Sequence, residues 1–200
     1  QIVTDEVDIP ICIDTPNPEA LAAALSVTPG KPQINSVNGE EASLNTVLPL
    51  VKEFNAAVIA LTMDDDGIPS DPEKRLAIAA KIIERASKAG IPIEDIVVDP
   101  LVMTVGADSQ AATVTIKTIK LVKENFGVNI NLGASNVSFG LPDRHTINQS
   151  FLALAMGAGA TCAITHPRKL GLTIRAIDLL LGRDNFGMRY ITYWREQQSN

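Results

Sequence analysis

A parallel (β/α)8 barrel is the fold class that this 200-residue sequence predicts, on three observations. Short apolar, β-prone runs alternate strictly with stretches of helical period, at roughly 25–35 residues per unit, the pattern of right-handed βαβ crossovers. Each apolar run stops at an acid, an amide or a hydroxyl, so polar residues gather at one end of every strand. No Gly-x-Gly-x-x-Gly turn follows any strand, which disfavours a doubly wound dinucleotide-binding sheet. A doubly wound sheet concentrates its polar strand ends at one switch point, whereas a barrel places them around a whole rim.

The strands follow in order. Ile9–Ile13 ends at Asp14-Thr15, Gln33-Ile34 at Asn35-Ser36, and Ala56–Leu61 at Thr62. Ile96–Val98 ends at Asp99, Asn129–Ala134 at Ser135-Asn136, and Thr161–Ile164 at Thr165-His166. Between them, 18–26 is Ala-rich, with Asn17 as N-cap and Pro18 at the first helical position. Residues 40–55 place Leu44, Val47, Leu48 and Val51 on one face. Residues 72–89 do the same with Leu76, Ala79, Ala80, Ile83 and Ala86, entered through Ser70-Asp71-Pro72 and left at Gly90. Helices over 109–125 (leaving near Gly127), 143–157 and 168–181 complete six βα units. A barrel has eight. The chain opens on Gln1 inside what reads as a helix tail (1–6), so the expectation is a single domain, 1–200, covering about six C-terminal units of a barrel whose first two units are missing.

Composition narrows the function. The chain is 46% hydrophobic and 4% aromatic, which calls for an aliphatic core of Ile, Val, Leu and Ala. A net charge of −6 without any Lys/Arg cluster excludes a nucleic-acid or anionic-membrane surface. No apolar run approaches the ~18 residues of a membrane span, and no secretory signal is visible. Cys12 and Cys162 fall inside apolar strands without partners at metal-ligand spacing, so buried free thiols in a reducing cytoplasm are expected and bound metal is not.

The rim carries the chemistry. Asp14 follows Ile11-Cys12-Ile13; a turn or cap role is its alternative, but the adjacent Asn17 already serves as cap. Asn35 offers an amide that donates and accepts at once, or ties one loop to another. Asp99 is the sharpest candidate: an acid after Ile96-Val97-Val98 is locally disfavoured, and Pro100 removes a donor just where pairing should end. A carboxylate there accepts two parallel N–H bonds, the match for a 2-aminopyrimidinone edge. Asn136 lies in Gly133-Ala134-Ser135-Asn136-Val137-Ser138, where small residues allow close approach of a ligand. Arg144 follows near a helix start, as a site residue or an ordinary surface ion pair. Asp64-Asp65-Asp66-Gly67 lacks the rest of a cation loop and reads as a solvated turn. Thr62 and His166 read as loop structure. No nucleophile elbow, phosphate loop or Cys–His pair is present.

Taken together, Cys12-Ile13-Asp14-Thr15, Ile34-Asn35-Ser36, Ala60-Leu61-Thr62-Met63, Gly67-Ile68-Pro69, Asp99-Pro100-Leu101, Ser135-Asn136-Val137-Ser138 and Asn148-Gln149-Ser150-Phe151-Leu152-Ala153 resemble, in order, the pterin-binding methyltransferases. These are the methyltetrahydrofolate:corrinoid/iron–sulfur protein methyltransferases and the folate domain of cobalamin-dependent methionine synthase. The resemblance implies a barrel in which Asp14, Asn35 and Asp99 bind the pterin, Asn136 reaches N5, and Ser135, Ser138 and Arg144 line the same site. It implies transfer of a methyl group between N5 of methyltetrahydrofolate and the cobalt of a corrinoid carried by a partner protein, a homodimer, and no metal bound by this chain. Phe139 stands where the acetogenic enzymes carry Gln, as in the methionine synthase version of the loop. Two other readings remain. A dihydropteroate synthase shares the barrel but is expected to carry Ser-Arg-Lys where this chain has Ser135-Asn136-Val137. A non-catalytic folate-binding module of a larger assembly is compatible with the lack of a conventional base.

Overall fold

The computed structural model of the protein describes residues 2–198. Thirteen helices and strands follow one another: α1 (Ile2–Glu6), β1 (Cys12–Asp14), α2 (Pro18–Val27), β2 (Gln33–Val37), α3 (Glu41–Glu53), β3 (Ala57–Leu61), α4 (Pro72–Lys88), β4 (Ile96–Asp99), α5 (Ala111–Phe126), β5 (Asn129–Ile130), α6 (Arg144–Ala158), α7 (Pro167–Leu180) and α8 (Met188–Gln198). The sheet is wholly parallel and its spatial order is the chain order, β1-β2-β3-β4-β5. A doubly wound sheet reverses direction at a switch point; a sheet that advances one strand at a time with helices between is an arc of a (β/α)8 barrel. No helix of the described residues is long and apolar enough to cross a membrane.

Local sequence sets the element ends. The Asn17 carboxamide oxygen accepts from the N–H groups of Glu19 (2.9 Å) and Ala20 (3.0 Å), and Pro18 follows at the first position of α2. Asp71 caps α4 in the same way, accepting from the Glu73 N–H at 2.9 Å. Gly127 closes α5 at φ +67°, a conformation that costs other residues steric strain. The core is aliphatic as composition requires: Val58 and Ala60 of β3 and Ile96 and Val98 of β4 are buried in one cluster with Ile78, Ala79, Ile82 and Ala86 of α4, while Ile59 and Val97 are buried outside it. Truncating a fully buried residue such as Ile82 to Ala costs about 2–5 kcal/mol.

Three expectations are corrected. The run 161–164 forms one bridge, Gly133 to Ile164, rather than a sixth strand. The N–H groups of Thr161 and Cys162 both donate to the Ile130 carbonyl, which breaks the alternation that a ladder needs. The run 129–134 is a strand only through Ile130, and Ala134–Ser138 tightens into a 3-10 turn. Neither cysteine is buried: Cys12 lies on the edge strand β1 and Cys162 on the bridging segment, and both are exposed. Partial burial and the Asp14 carboxylate nonetheless push the Cys12 thiol above its ordinary range, away from the reactive thiolate. Helix α8 was not among the expected elements; it packs on α7, where Tyr193 donates its hydroxyl to the Pro167 carbonyl.

Candidate functional site

The parallel register delivers polar side chains to one rim. Asp14 and Asn35 are paired residues at the ends of β1 and β2, and Leu61 pairs with Asp99 at the ends of β3 and β4. Asn35 Nδ2 donates to Asp14 Oδ2 at 3.2 Å. That bond leaves the Asn35 carbonyl oxygen, its second N–H and Asp14 Oδ1 without a hydrogen-bond partner among the described residues. The two side chains line, with Thr15, Ser36 and Asn38, a cleft of about 430 Å³ between α2 and α3.

Asp99 is 6% exposed and is held from three sides. Its Oδ1 accepts from the Leu101 N–H at 2.8 Å, and its Oδ2 accepts from Asn131 Nδ2 at 2.9 Å. The Thr62 hydroxyl donates to the Asp99 carbonyl at 3.2 Å and ties the end of β3 to the end of β4. Burial pushes the Asp99 carboxyl up to about 6, against the downward pull of the Leu101 N–H, the Asn131 amide and the nearby Arg75 guanidinium. A carboxylate has about four acceptor positions and only two are taken. Asp99 is therefore a carboxylate at neutral pH with one vacant acceptor position on each oxygen and an environment that penalises its charge. It is suited to accept two further N–H donors.

Asn131 and Arg75 were missed by sequence reasoning. Arg75, on α4, is 2% exposed. Its Nε donates to the Pro69 carbonyl (2.7 Å) and its Nη1 to the carbonyls of Pro100 (2.6 Å) and Leu101 (2.7 Å). Burial lowers the guanidinium's pKa and the Asp99 charge opposes that. The turn after β4, with Leu101 at φ +59°, is thus fastened by a buried cation directly behind the carboxylate.

The Asn136 loop completes the rim. Asn136 is exposed, and its side-chain amide has no hydrogen-bond partner among the described residues. A Cβ placed on Gly133 would lie 3.0 Å from Asn136 Nδ2, so the glycine is what lets the amide lie over the loop. Ser138 is fully buried; its hydroxyl donates to Asn148 Oδ1 at 2.7 Å. Arg144 donates from Nε to Ser138 Oγ (3.1 Å) and from Nη2 to the Ser135 carbonyl (2.7 Å), and its guanidinium stands 5.8 Å from the Phe139 ring centre. Ser138 and Arg144 brace the loop that carries Asn136, and the Ser135 side chain is exposed beside it.

The remaining candidates are loop features. The Asp66 N–H donates to Asp64 Oδ1 in a turn that closes on Gly67. Among the described residues no group of three or more His, Cys, Asp or Glu side chains is placed to hold a metal ion.

The model of the pterin binding enzymes matches residues 1–166. The chain belongs to the pterin-binding enzyme family. Within this family it is 33% identical to the methylcorrinoid:tetrahydrofolate methyltransferase of Eubacterium limosum, over 98% of this chain and 74% of that protein. It is also 33% identical to the methionine synthase of Mycobacterium tuberculosis, over 81% of this chain but only 15% of that much longer protein. Among solved structures it is similar to a dihydropteroate synthase from Clostridium difficile, crystallised in the presence of pteroic acid, with a TM-score of 0.73, 25% identity, and coverage of 89% of this chain and 70% of that one. A second dihydropteroate synthetase superposes at a TM-score of 0.69 with 17% identity, over 90% of this chain and 69% of that chain, which shows a shared fold. The pterin-binding fold is the (β/α)8 barrel that the strand order indicates.

Proposed function

We propose that this pterin-binding enzyme moves a methyl group between N5 of methyltetrahydrofolate and the cobalt of a corrinoid carried by another protein. The buried Asp99 carboxylate, with one open acceptor position on each oxygen, carries the reading. The 2-amino group and adjacent ring N–H of a pterin are two parallel donors at one edge, the complement of such a carboxylate. Asn131 and the Leu101 N–H fix the carboxylate's rotation by donating to Oδ2 and Oδ1. Asp14 and Asn35, linked to each other across β1 and β2, receive the rest of the heterocycle with one acceptor and one donor–acceptor pair.

Methyl transfer needs help at N5, because a tertiary amine is a poor leaving group. N5 must gain positive character, by protonation or by a strong hydrogen bond, so that it can leave with the C–N5 electron pair as a cobalt(I) nucleophile would bond to the methyl carbon. Asn136 supplies a side chain that donates or accepts by rotation about its own bonds, so it serves N5 before and after the methyl group leaves. The braced loop fixes the backbone that carries this amide, and a donor placed at N5 contributes roughly 2–4 kcal/mol at the transition state. Ser135 lies at the same edge of the site, while Ser138 and Arg144 act on it through the loop. The corrinoid arrives with a partner protein, and the chain itself holds no metal in this scheme.

The same reading places the protein in the cytoplasm, where reduced folates and free thiols coexist, and as a homodimer. Leu180 at the end of α7 (85% exposed), Phe186 in the turn after it (97%) and Met188 at the start of α8 (62%) are exposed apolar side chains, which is compatible with self-association. The fold likeness to dihydropteroate synthases favours one second reading, condensation of a pterin pyrophosphate with an aminobenzoate. Ser135-Asn136-Val137 stands against it, since no Lys or Arg occupies that stretch to handle a pyrophosphate. The deciding assay mixes the full-length protein with methyltetrahydrofolate and cob(I)alamin and follows the visible spectrum. Appearance of methylcobalamin supports the proposal; folate binding without transfer indicates a non-catalytic folate module; dihydropteroate formation from the pyrophosphate indicates the synthase.

A further inference from the structure

A cleft of about 530 Å³ opens beside the Asn136 loop, between the starts of α6 and α7. Ser135, Arg144, His145, His166 and Lys169 are among the residues that line it. The chain carries 23 Asp and Glu against 17 Lys and Arg, yet no carboxylate lines this cleft. Among the described residues no carboxylate stands within ion-pairing distance of Arg144, His145, His166 or Lys169, while Lys31, Lys81, Lys88 and Arg85 all have acidic partners. Neither α6 nor α7 carries an acid in its first turn, and neither Asp143 nor His166, their N-caps, makes a side-chain cap bond. Four cationic or titratable side chains thus face one space that no carboxylate lines, Asp143 at the N-cap of α6 lying outside that lining.

We propose that this cleft binds the carboxylates of the glutamyl tail of folate. The proposal rests on the function argued above and adds a subsite to it. In folates the arm bearing p-aminobenzoyl-glutamate leaves from C6, the ring atom bonded to N5. With N5 at Asn136, the arm therefore starts beside the loop whose other wall is this cleft, and Ser135 is common to both. A γ-linked glutamate tail carries at least two carboxylates, and each added glutamate brings another. Lys169 and the imidazoles of His145 and His166 are the groups placed to meet them. Solvent-exposed charge contacts of this kind are individually weak, and two or three together are expected to give about a fivefold gain in affinity.

The test is titration calorimetry on the full-length protein with three ligands: methyltetrahydropteroate, which has no glutamate, methyltetrahydrofolate monoglutamate, and its triglutamate. The expected order is triglutamate tightest and pteroate weakest, with about a fivefold step overall that shrinks as salt rises. Lys169→Glu and His166→Gln should remove that step and leave pteroate binding unchanged. Equal affinity for all three ligands in the wild type, or a step that survives in both variants, overturns the subsite while pteroate binding still supports the pterin cradle. Failure to bind even pteroate overturns the pterin reading and the subsite with it. If Lys169→Glu instead impairs transfer to cob(I)alamin with the glutamate preference intact, the cleft serves the methyl acceptor and the proposal falls.

Discussion

Asn131 donates its side-chain amide to Asp99 Oδ2 at 2.9 Å, in a contact sealed from solvent at the end of the parallel sheet. The two residues sit on adjacent strand ends, yet they lie 32 positions apart in sequence. The contact turns a disfavoured buried acid into an oriented one.

Replacing Asp99 separates stability from binding. Burial holds the Asp99 carboxyl near 6 in the folded protein against 3.8 as its ordinary value. A raised carboxyl favours the fold in acid: that contribution is whole below pH 4 and is lost as pH climbs through 6. Asp99→Asn removes the buried charge, and a rotated Asn131 amide can still pair with it. Its Tm at pH 7.5 should equal or exceed the wild type's, and its Tm difference between pH 4.5 and 7.5 should lack the Asp99 contribution. Pterin binding should fall about 100-fold, the loss of two charge-assisted hydrogen bonds. A variant that binds normally removes Asp99 from the cradle.

For Asn131→Ala the expected outcome lies in the pH profile. Its amide lowers the Asp99 pKa, so its removal lets the carboxyl rise above 6. The pterin affinity of the wild type should grow up to about tenfold per pH unit below 6 and level off above it. The variant's plateau should begin at higher pH. Affinities measured by calorimetry from pH 5 to 8 check this.

Arg75 is expected to matter for folding more than for chemistry. Its guanidinium satisfies three carbonyls, of Pro69, Pro100 and Leu101, behind the site. Arg75→Met leaves the Pro69 and Pro100 carbonyls unpaired and the Leu101 carbonyl with only the Thr115 hydroxyl, and should cost about 2–4 kcal/mol, read as a lower urea midpoint. Arg75→Lys should recover part of that, because one ammonium cannot reproduce the forked donor geometry.

The parts legible in the sequence are those decided by neighbours along the chain. Asn17 and Asp71 cap their helices because Asx followed by Pro is a local signature, and Gly127 closes α5 for a backbone reason. Asp99 stood out because an acid after three β-branched residues needs an external explanation. Asn131 did not, since it sits inside an apolar run and its meaning depends on β5 lying next to β4. Arg75 reads on a helical wheel as one more charge on an amphipathic helix; only the tertiary packing of α4 on the turn at Pro100 buries it. The sixth strand failed for a related reason. Apolar composition at 161–164 does not specify a ladder when two successive N–H groups converge on one carbonyl.

The most direct test of the account is Asn136→Ala, assayed in parallel for methyltetrahydrofolate affinity and for single-turnover methyl transfer to cob(I)alamin. Asn136 is exposed and its side chain makes no bond within the described protein, so folding should be untouched. The prediction is an affinity within a few-fold of wild type and transfer slower by about 100-fold, the loss of one dipole placed at N5. Transfer at the wild-type rate would contradict it.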